Sequence, residues 1–395
     1  MAQIAIEKIN HFLMSLALKI KSIILSFFLV LMATVACATQ VSLRDKIGQM
    51  LILGFQGKVV DEKSPIAQAI EKNNIGGVIL FDFNQQSQTF DKNIESPEQV
   101  NQLNNQLQTL TQKANRKYHR DNLPLLISVD YEGGNVNRLH PRYGFPEMPS
   151  AKDIGSMSLE RADVSAELMA NTLKSTGFNL NFFPELDVNI NPDNPIIGKK
   201  DRSFSSIPEI VTQYAQLYTE QFIKHQIHCS YKHFPGHGSS LSDSHLGFVD
   251  ISDTWSEQEL IPFLQLLSQP NHCDMVMIAH IVNRKLDMTG LPASLSYQII
   301  NGLLRHDLKF NGVVITDDMQ MKAITNYYGL ETAVTLSINA GADMLIFGNQ
   351  LVEKFQDSTE IIDMIEQKVR SGEISEQRIN EAYQRIVKMK RSFNY

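Results

Sequence analysis

Along the chain, apolar and polar positions fall into two alternating kinds of segment. Short, nearly unbroken apolar runs, rich in β-branched residues, occupy 47–55, 75–81, 124–130, 178–188, 227–233, 273–281, 310–317 and 341–348. They lack the every-second-residue polarity of a strand with one wet face, so each predicts a strand buried on both faces. Between them lie segments with helical spacing. Val100, Leu103, Leu107 and Leu110 form one stripe behind Ser96-Pro97-Glu98-Gln99, a capping-box pattern with proline at the first helical position. Ser206-Ile207-Pro208-Glu209 predicts another helix start. Ile379, Ala382, Ile386 and Met389 align over 376–391, where Arg385, Lys388, Lys390 and Arg391 suit a helix C-terminus. Eight buried strands alternating with helices predict an α/β fold, a single-domain (β/α)8 TIM-type barrel. An open doubly wound sheet fits less well, because no Gly-x-Gly-x-x-Gly turn follows any run.

The first forty residues depart from this alternation. Lys19 and Lys21 precede an apolar stretch from Ile23 to Met32, small residues follow through Ala36-Cys37-Ala38, and no charge returns until Arg44. That order is the one of an export signal, and its strongly apolar part is shorter than the roughly 20 residues a spanning helix needs. Cleavage after Ala38 fits an Ala-x-Ala rule and predicts a signal at 1–38, a catalytic barrel at 39–395 and an exported protein, periplasmic or in the cell envelope. Cleavage before Cys37 with lipidation would instead attach the chain to a membrane, although Thr34 stands where a lipoprotein signal usually carries leucine.

Composition narrows the partners. Of 395 residues 43% are hydrophobic and 20% charged, and 36 basic against 43 acidic residues give a net charge of −7. No basic stripe is available to neutralise a phosphate backbone, so nucleic acid is not an expected partner. The three cysteines, Cys37, Cys229 and Cys273, leave one unpaired whatever the other two do, and are too few for a disulfide framework. The core is expected to be held by packing, and the expected form is a monomer.

A barrel of this kind does its chemistry at the C-terminal ends of its strands. The polar residues collect there. The third run ends in Asp130-Tyr131-Glu132-Gly133-Gly134 with Arg138 beyond, and the fourth in Glu185-Leu186-Asp187 before Arg202-Ser203-Phe204. The fifth ends in Lys232-His233-Phe234-Pro235-Gly236-His237-Gly238, followed by Asp243-Ser244-His245; the sixth ends in His280 and the seventh in Asp317-Asp318. Each has a plain alternative: Asp130 and Asp187 as caps, the arginines as surface residues, Glu132 as a turn marker, His280 as a hydrogen-bonded structural histidine. Those alternatives are independent, whereas one shared site accounts for all of them.

His233, His237, His245 and Asp243 also raise zinc. His-x-x-x-His is the spacing of a helical metal pair, but Pro235-Gly236 breaks the helix that would align the two rings. A loop gathering three ligands stays open as the alternative; the favoured expectation is no metal. Acid–base work suits the group better. Asp243 and His245 stand two apart in a serine-rich loop, so the carboxylate can fix one ring nitrogen and leave the other to exchange a proton. Asp317 would then be the opposing carboxylate, a nucleophile or an oxocarbenium stabiliser.

These residues together resemble the single-domain β-N-acetylglucosaminidases of glycoside hydrolase family 3. The resemblance runs through Asp130-x-Glu132-Gly133-Gly134-x-Val136-x-Arg138-Leu139, Asp187-Val188-Asn189-x-Asn191-Pro192, Arg202-Ser203-Phe204, Lys232 to Gly238, Asp243-Ser244-His245, Ala279-His280 and Ile315-Thr316-Asp317-Asp318-Met319-x-Met321. It implies Asp317 as nucleophile, His245 as acid/base assisted by Asp243, and Asp130, Arg138, Arg202, Lys232 and His233 as residues that bind N-acetylglucosamine. It implies a retaining exo-glycosidase with no cofactor, acting on peptidoglycan fragments or chitin oligomers. Tyr131, Ser205 and Ser239-Ser240 depart from the usual glutamine, glycine and Asp-Thr of the family, and none removes a charge that the mechanism uses. Asp318 raises a choice, since neighbouring strand residues face opposite ways and only one should enter the site; the family pattern selects Asp317. A histidine acid/base does not repel anions, so a phosphorylase is the enzymatic alternative, and a catalytically silent sugar-binding envelope protein the non-enzymatic one.

Overall fold

The structure of the protein is a computed structural model that describes residues 3, 11, 14–22, 41–352 and 355–393. The chain divides into two compact units, Met1–Ser42 and Leu43–Tyr395. In the first, residues 14–22 are helical; the apolar stretch 23–32, Cys37 and the cleavage position after Ala38 lie outside the described residues. No helix among the described residues is long and apolar enough to cross a membrane.

Among its described residues the second unit has ten strands: β1 (Leu51–Gly54), β2 (Gly77–Ile79), β3 (Leu126–Val129), β4 (Tyr131–Gly133), β5 (Val136–Asn137), β6 (Leu180–Asn181), β7 (His228–Phe234), β8 (Met275–Ile278), β9 (Val313–Asp318) and β10 (Met344–Phe347). Eight of them close a barrel in the order β1-β10-β9-β8-β7-β6-β3-β2, while β4 and β5 form a short antiparallel hairpin. Every barrel pairing is parallel. This is the predicted (β/α)8 barrel, and each of the eight runs supplies one strand. The runs are apolar on both faces because one face fills the barrel interior and the other meets the helices.

The boundaries differ at two runs. Residues 47–49 end the helix Leu43–Gln49, so only the second half of the first run is strand. In 178–188 the ladder stops after Asn181, and beyond Pro184, which has no amide hydrogen to give, the chain rejoins β7 through one bridge, Glu185 to Lys232. Helix starts show similar shifts. Ser96 accepts from the Gln99 amide at 3.1 Å, but the Gln99 side chain accepts from the amide of Glu95, one residue before the cap, at 2.9 Å. The cap before Pro208 is Ile207 and not Ser206, with no side-chain hydrogen bond. The last helix, Glu376–Lys390, buries Ile379, Ala382, Ile386 and Met389 as predicted. Its Arg378 and Arg385 reach the buried Asp343 at the start of β10, where Arg305 also binds at 2.6 Å.

Packing is not the whole of what holds the core. Cys229 on β7 and Cys273, just ahead of β8, form a disulfide with both residues buried. The odd cysteine count had left that pairing open.

Candidate active site

The C-terminal ends of the strands surround a cavity of about 330 Å³. Asp130, Arg138, Arg202, Lys232, His233, Asp243, His245 and Asp317 all line it, so the residues singled out from the sequence meet in one place. Their separation along the chain, from 130 to 317, is closed by the barrel: Asp130 follows β3, Arg138 β5 and Arg202 β6, Lys232 and His233 lie in β7 with Asp243 and His245 on the loop after it, and Asp317 lies at the end of β9.

At the end of β9 the expectation that only one of Asp317 and Asp318 enters the cavity does not hold; both line it. The reason is a bulge. Ile315 pairs with Met344 and Asp318 with Ile346, so β9 spends one more residue than β10 over that step and strict alternation is lost. The two carboxyls then diverge. Burial would raise Asp317, but the charge on His233, with His280, His245 and the Asp318 amide at 2.8 Å, outweighs it and holds the group at about 2. Burial dominates at Asp318 and pushes it up to about 6, although it accepts the amides of Gln320 and Gly348 at 3.0 and 3.3 Å. Asp317 is therefore the more acidic of the two, ionised well below neutral pH, while Asp318 takes up its proton in the mildly acidic range. His280 is the structural histidine of the plain reading: Nε2–H donates to the Asp318 carbonyl at 3.0 Å, so Nδ1 accepts from the Ser294 hydroxyl at 2.6 Å.

Across the cavity lies a buried network of charges. Arg202 binds Glu132 through two bonds of 2.9 Å and Glu185 through one of 3.2 Å; Lys232 lies 2.5 Å from Glu132 and 3.1 Å from Asp130. A further bond to the Ile196 carbonyl leaves Arg202 one N–H, and both cations line the cavity. Glu132 and Glu185 were not among the predicted site residues, yet they fix both cations. Gly133 and Gly134 explain the turn that places Glu132: at Gly133, φ is +88°, and a Cβ there would lie 2.1 Å from the Pro149 carbonyl.

His233 is cationic. Its Nδ1 is 2.7 Å from Asp187 and 3.1 Å from Glu185, and although burial opposes the charge, these carboxylates raise it to about 10. Asp187 is no helix cap; it accepts the His233 ring proton and the His237 amide at 2.7 Å. Burial and the neighbouring His233 charge push His237 down to about 3, so it stays neutral, its Nε2 3.3 Å from Ser244. His233, His237, His245 and Asp243 do not converge on one point: among the described residues the trio with ligand atoms within 4.8 Å of one another is Glu185, Asp187 and His233, where Arg202 and the His237 amide already bind.

His245 and Asp243 sit on the loop after β7. The His245 ring Nδ1 and backbone N both lie 2.8 Å from Asp243 Oδ1, leaving Nε2 outward, with the ring about half exposed. Burial tends to raise Asp243, and the two bonds from His245 outweigh it and lower it.

A barrel with an ionised carboxylate facing an Asp–His pair across one cavity has the layout of a glycoside hydrolase, and the chain belongs to glycosyl hydrolase family 3: that family's N-terminal domain matches residues 42–389. Among its relatives, Beta-hexosaminidase A of Pseudoalteromonas piscicida is 30% identical over 90% of this chain and 62% of its own length, and Beta-hexosaminidase of Tolumonas auensis is 33% identical over 76% of this chain and 82% of its own. The solved structure of a family 3 β-N-acetylglucosaminidase from Paenibacillus superposes with a TM-score of 0.79 at 32% identity, covering 89% of this chain and 62% of that one. The chain thus spans about 62% of the length of two of these three.

Proposed function

We propose that the protein is a retaining exo-β-N-acetylglucosaminidase of the cell envelope. The observation that carries this reading is the pairing of a partly buried, ionised Asp317 with a half-exposed His245 on a loop lining the same cavity. The names of the relatives support the sugar. The cavity volume is at the small end of ligand sites, which suits one terminal sugar ring.

In the first step Asp317 attacks the anomeric carbon while His245 Nε2 gives its proton to the departing oxygen, so the glycosidic bond breaks as the Asp317–sugar ester forms. In the second, His245 takes a proton from water, whose oxygen attacks the same carbon and expels Asp317 as carboxylate. Two inversions return the β-configuration. Asp243 holds the ring by Nδ1, so Nε2 is the nitrogen that exchanges the proton. Arg138, Asp130, Lys232 and Arg202, which line the cavity, position the sugar hydroxyls and the acetamide. His233, charged and beside Asp317, keeps the nucleophile ionised. Export follows from the order of residues 19–38 and is supported by the Cys229–Cys273 disulfide, a bond that persists in oxidising compartments.

The test is release of p-nitrophenol from the N-acetyl-β-glucosaminide. Asp317→Ala is expected to lose nearly all activity and His245→Ala roughly 10²–10⁴-fold; equal rates in all three proteins would overturn the reading. Phosphate with detection of sugar 1-phosphate separates a phosphorylase, and product masses from purified peptidoglycan fragments and from chitobiose separate the two substrates.

A further inference from the structure

The chain that leads from β7 to the acid/base pair is anchored group by group. The His237 amide donates to Asp187, the Gly238 and Ser239 amides to Glu259 Oε2 at 2.8 and 3.3 Å, and the Trp255 indole to the Pro235 carbonyl at 3.0 Å. Asn194 donates to the His237 carbonyl at 2.7 Å and Asn191 to that of Ser240 at 2.9 Å. Past Ser240 the character changes, with Leu241 and Leu246 each more than 70% exposed on either side of Asp243 and His245. Between them Ser244 is buried with its hydroxyl 3.3 Å from His237 Nε2, so the pair is carried by the anchored turn and by that one contact to it, and a shift of the turn moves His245.

Among these anchors Glu259 takes two consecutive amides with a single oxygen. It comes from a short 3-10 turn, Glu257–Leu260, and is fully buried. Gly236 leaves room for it: a Cβ there would stand 2.5 Å from that of Glu259. Burial pushes the group up to about 7, helped by the like charge of Asp187 nearby and opposed by the Ser239 hydroxyl and the two amides. A buried carboxyl in such surroundings is costly, and the two amides are what it serves.

We propose that Glu259 is a positioning residue of the glycosidase: it clamps the Gly238 and Ser239 amides so that the loop beyond them presents His245 to the leaving oxygen. This rests on His245 being the acid. A sugar leaving group must be protonated as it departs, whereas dinitrophenolate departs unaided, so loss of a well-placed acid shows in the first and not the second. Glu259→Gln still accepts both amides through its one carbonyl oxygen and is the conservative control, expected to stay near wild type; Glu259→Leu leaves both amides without an acceptor. The kcat/KM of the leucine variant on chitobiose is expected to fall roughly 10–100-fold, and on the dinitrophenyl N-acetyl-β-glucosaminide less than about threefold, with the same bias, larger, in His245→Ala. Equal falls on both substrates, or unchanged kcat/KM, while His245→Ala is biased, overturn the role of Glu259 and leave the proposed function standing. An unbiased His245→Ala overturns the function reading and this inference with it. Glu259→Asp, which keeps the charge but is one methylene short of both amides, decides the matter by the same comparison if the leucine variant does not fold.

Discussion

Glu132 is the residue whose removal tests the buried network most directly. It is 1% exposed, and it neutralises two cations at once: Arg202 through two bonds of 2.9 Å and Lys232 at 2.5 Å. Glu132→Gln keeps the volume, abolishes the negative charge and presents an amide N–H to groups that only donate. Breaking a buried pair by removing one partner costs about 3–5 kcal/mol, because the charge left behind has no water. Here Asp130 still faces Lys232 at 3.1 Å and Glu185 still faces Arg202 at 3.2 Å, which places the loss near the lower figure, about 3 kcal/mol. For a chain of this size that is a fall in Tm of roughly 5 °C. The control is an equally short pair that water reaches. Lys117 and Glu71 also stand 2.5 Å apart, but their side chains are 62% and 35% exposed. Glu71→Gln is expected to leave Tm unchanged, since exposed pairs are solvated in both states. Thermal unfolding of the three proteins, followed by circular dichroism at one scan rate, makes the comparison. If Glu132→Gln melts within a degree of wild type, or no lower than Glu71→Gln, burial is not what sets the worth of these contacts and the network does not hold Arg202 and Lys232 as argued.

The remaining predictions concern the nucleophile, pH and the disulfide. A slowly hydrolysed fluorinated N-acetylglucosaminide should leave its sugar on Asp317; fragment masses placing it on Asp318 would refute the assignment. The folded pKa of His233, about 10, lies above the ordinary 6.5, so the stability it contributes is complete below about pH 6.5 and is lost as pH rises through 10. The Tm gap between wild type and His233→Gln should therefore be widest near pH 6 and close towards pH 10; a constant gap refutes the charged ring. Cys229 and Cys273 are 44 apart in sequence, a loop whose closure stabilises by about 4 kcal/mol in the chain-entropy account. The Cys229→Ser, Cys273→Ser double variant should melt well below wild type, while reductant without denaturant should not reach the buried bond; equal melting refutes the cross-link.

What the sequence made legible, and what it hid, follows from the physics of each signal. Burial on two faces writes itself as an unbroken apolar run, so all eight barrel strands were visible, and the chemistry stood out as polar residues where those runs stop. Bulges leave no such trace, and alternation along Asp317-Asp318 misled for that reason. Partners were equally hidden: Glu132 reads as a turn residue until Arg202, 70 positions away, is folded against it. Glu259 sits in Ser256-Glu257-Gln258-Glu259, which reads as a solvated helix start. The barrel order shows why such an anchor is needed. The charge network rises from β3, β6 and β7, which are neighbours, and Asp317 from β9. On the shorter way round β8 lies between, and the histidine just beyond it, His280, is spent on Ser294 and the Asp318 carbonyl. The acid is carried instead on the loop after β7, and the accuracy of a strand end must then be rebuilt at the root of that loop by side chains such as Asp187, Asn191, Asn194, Trp255 and Glu259.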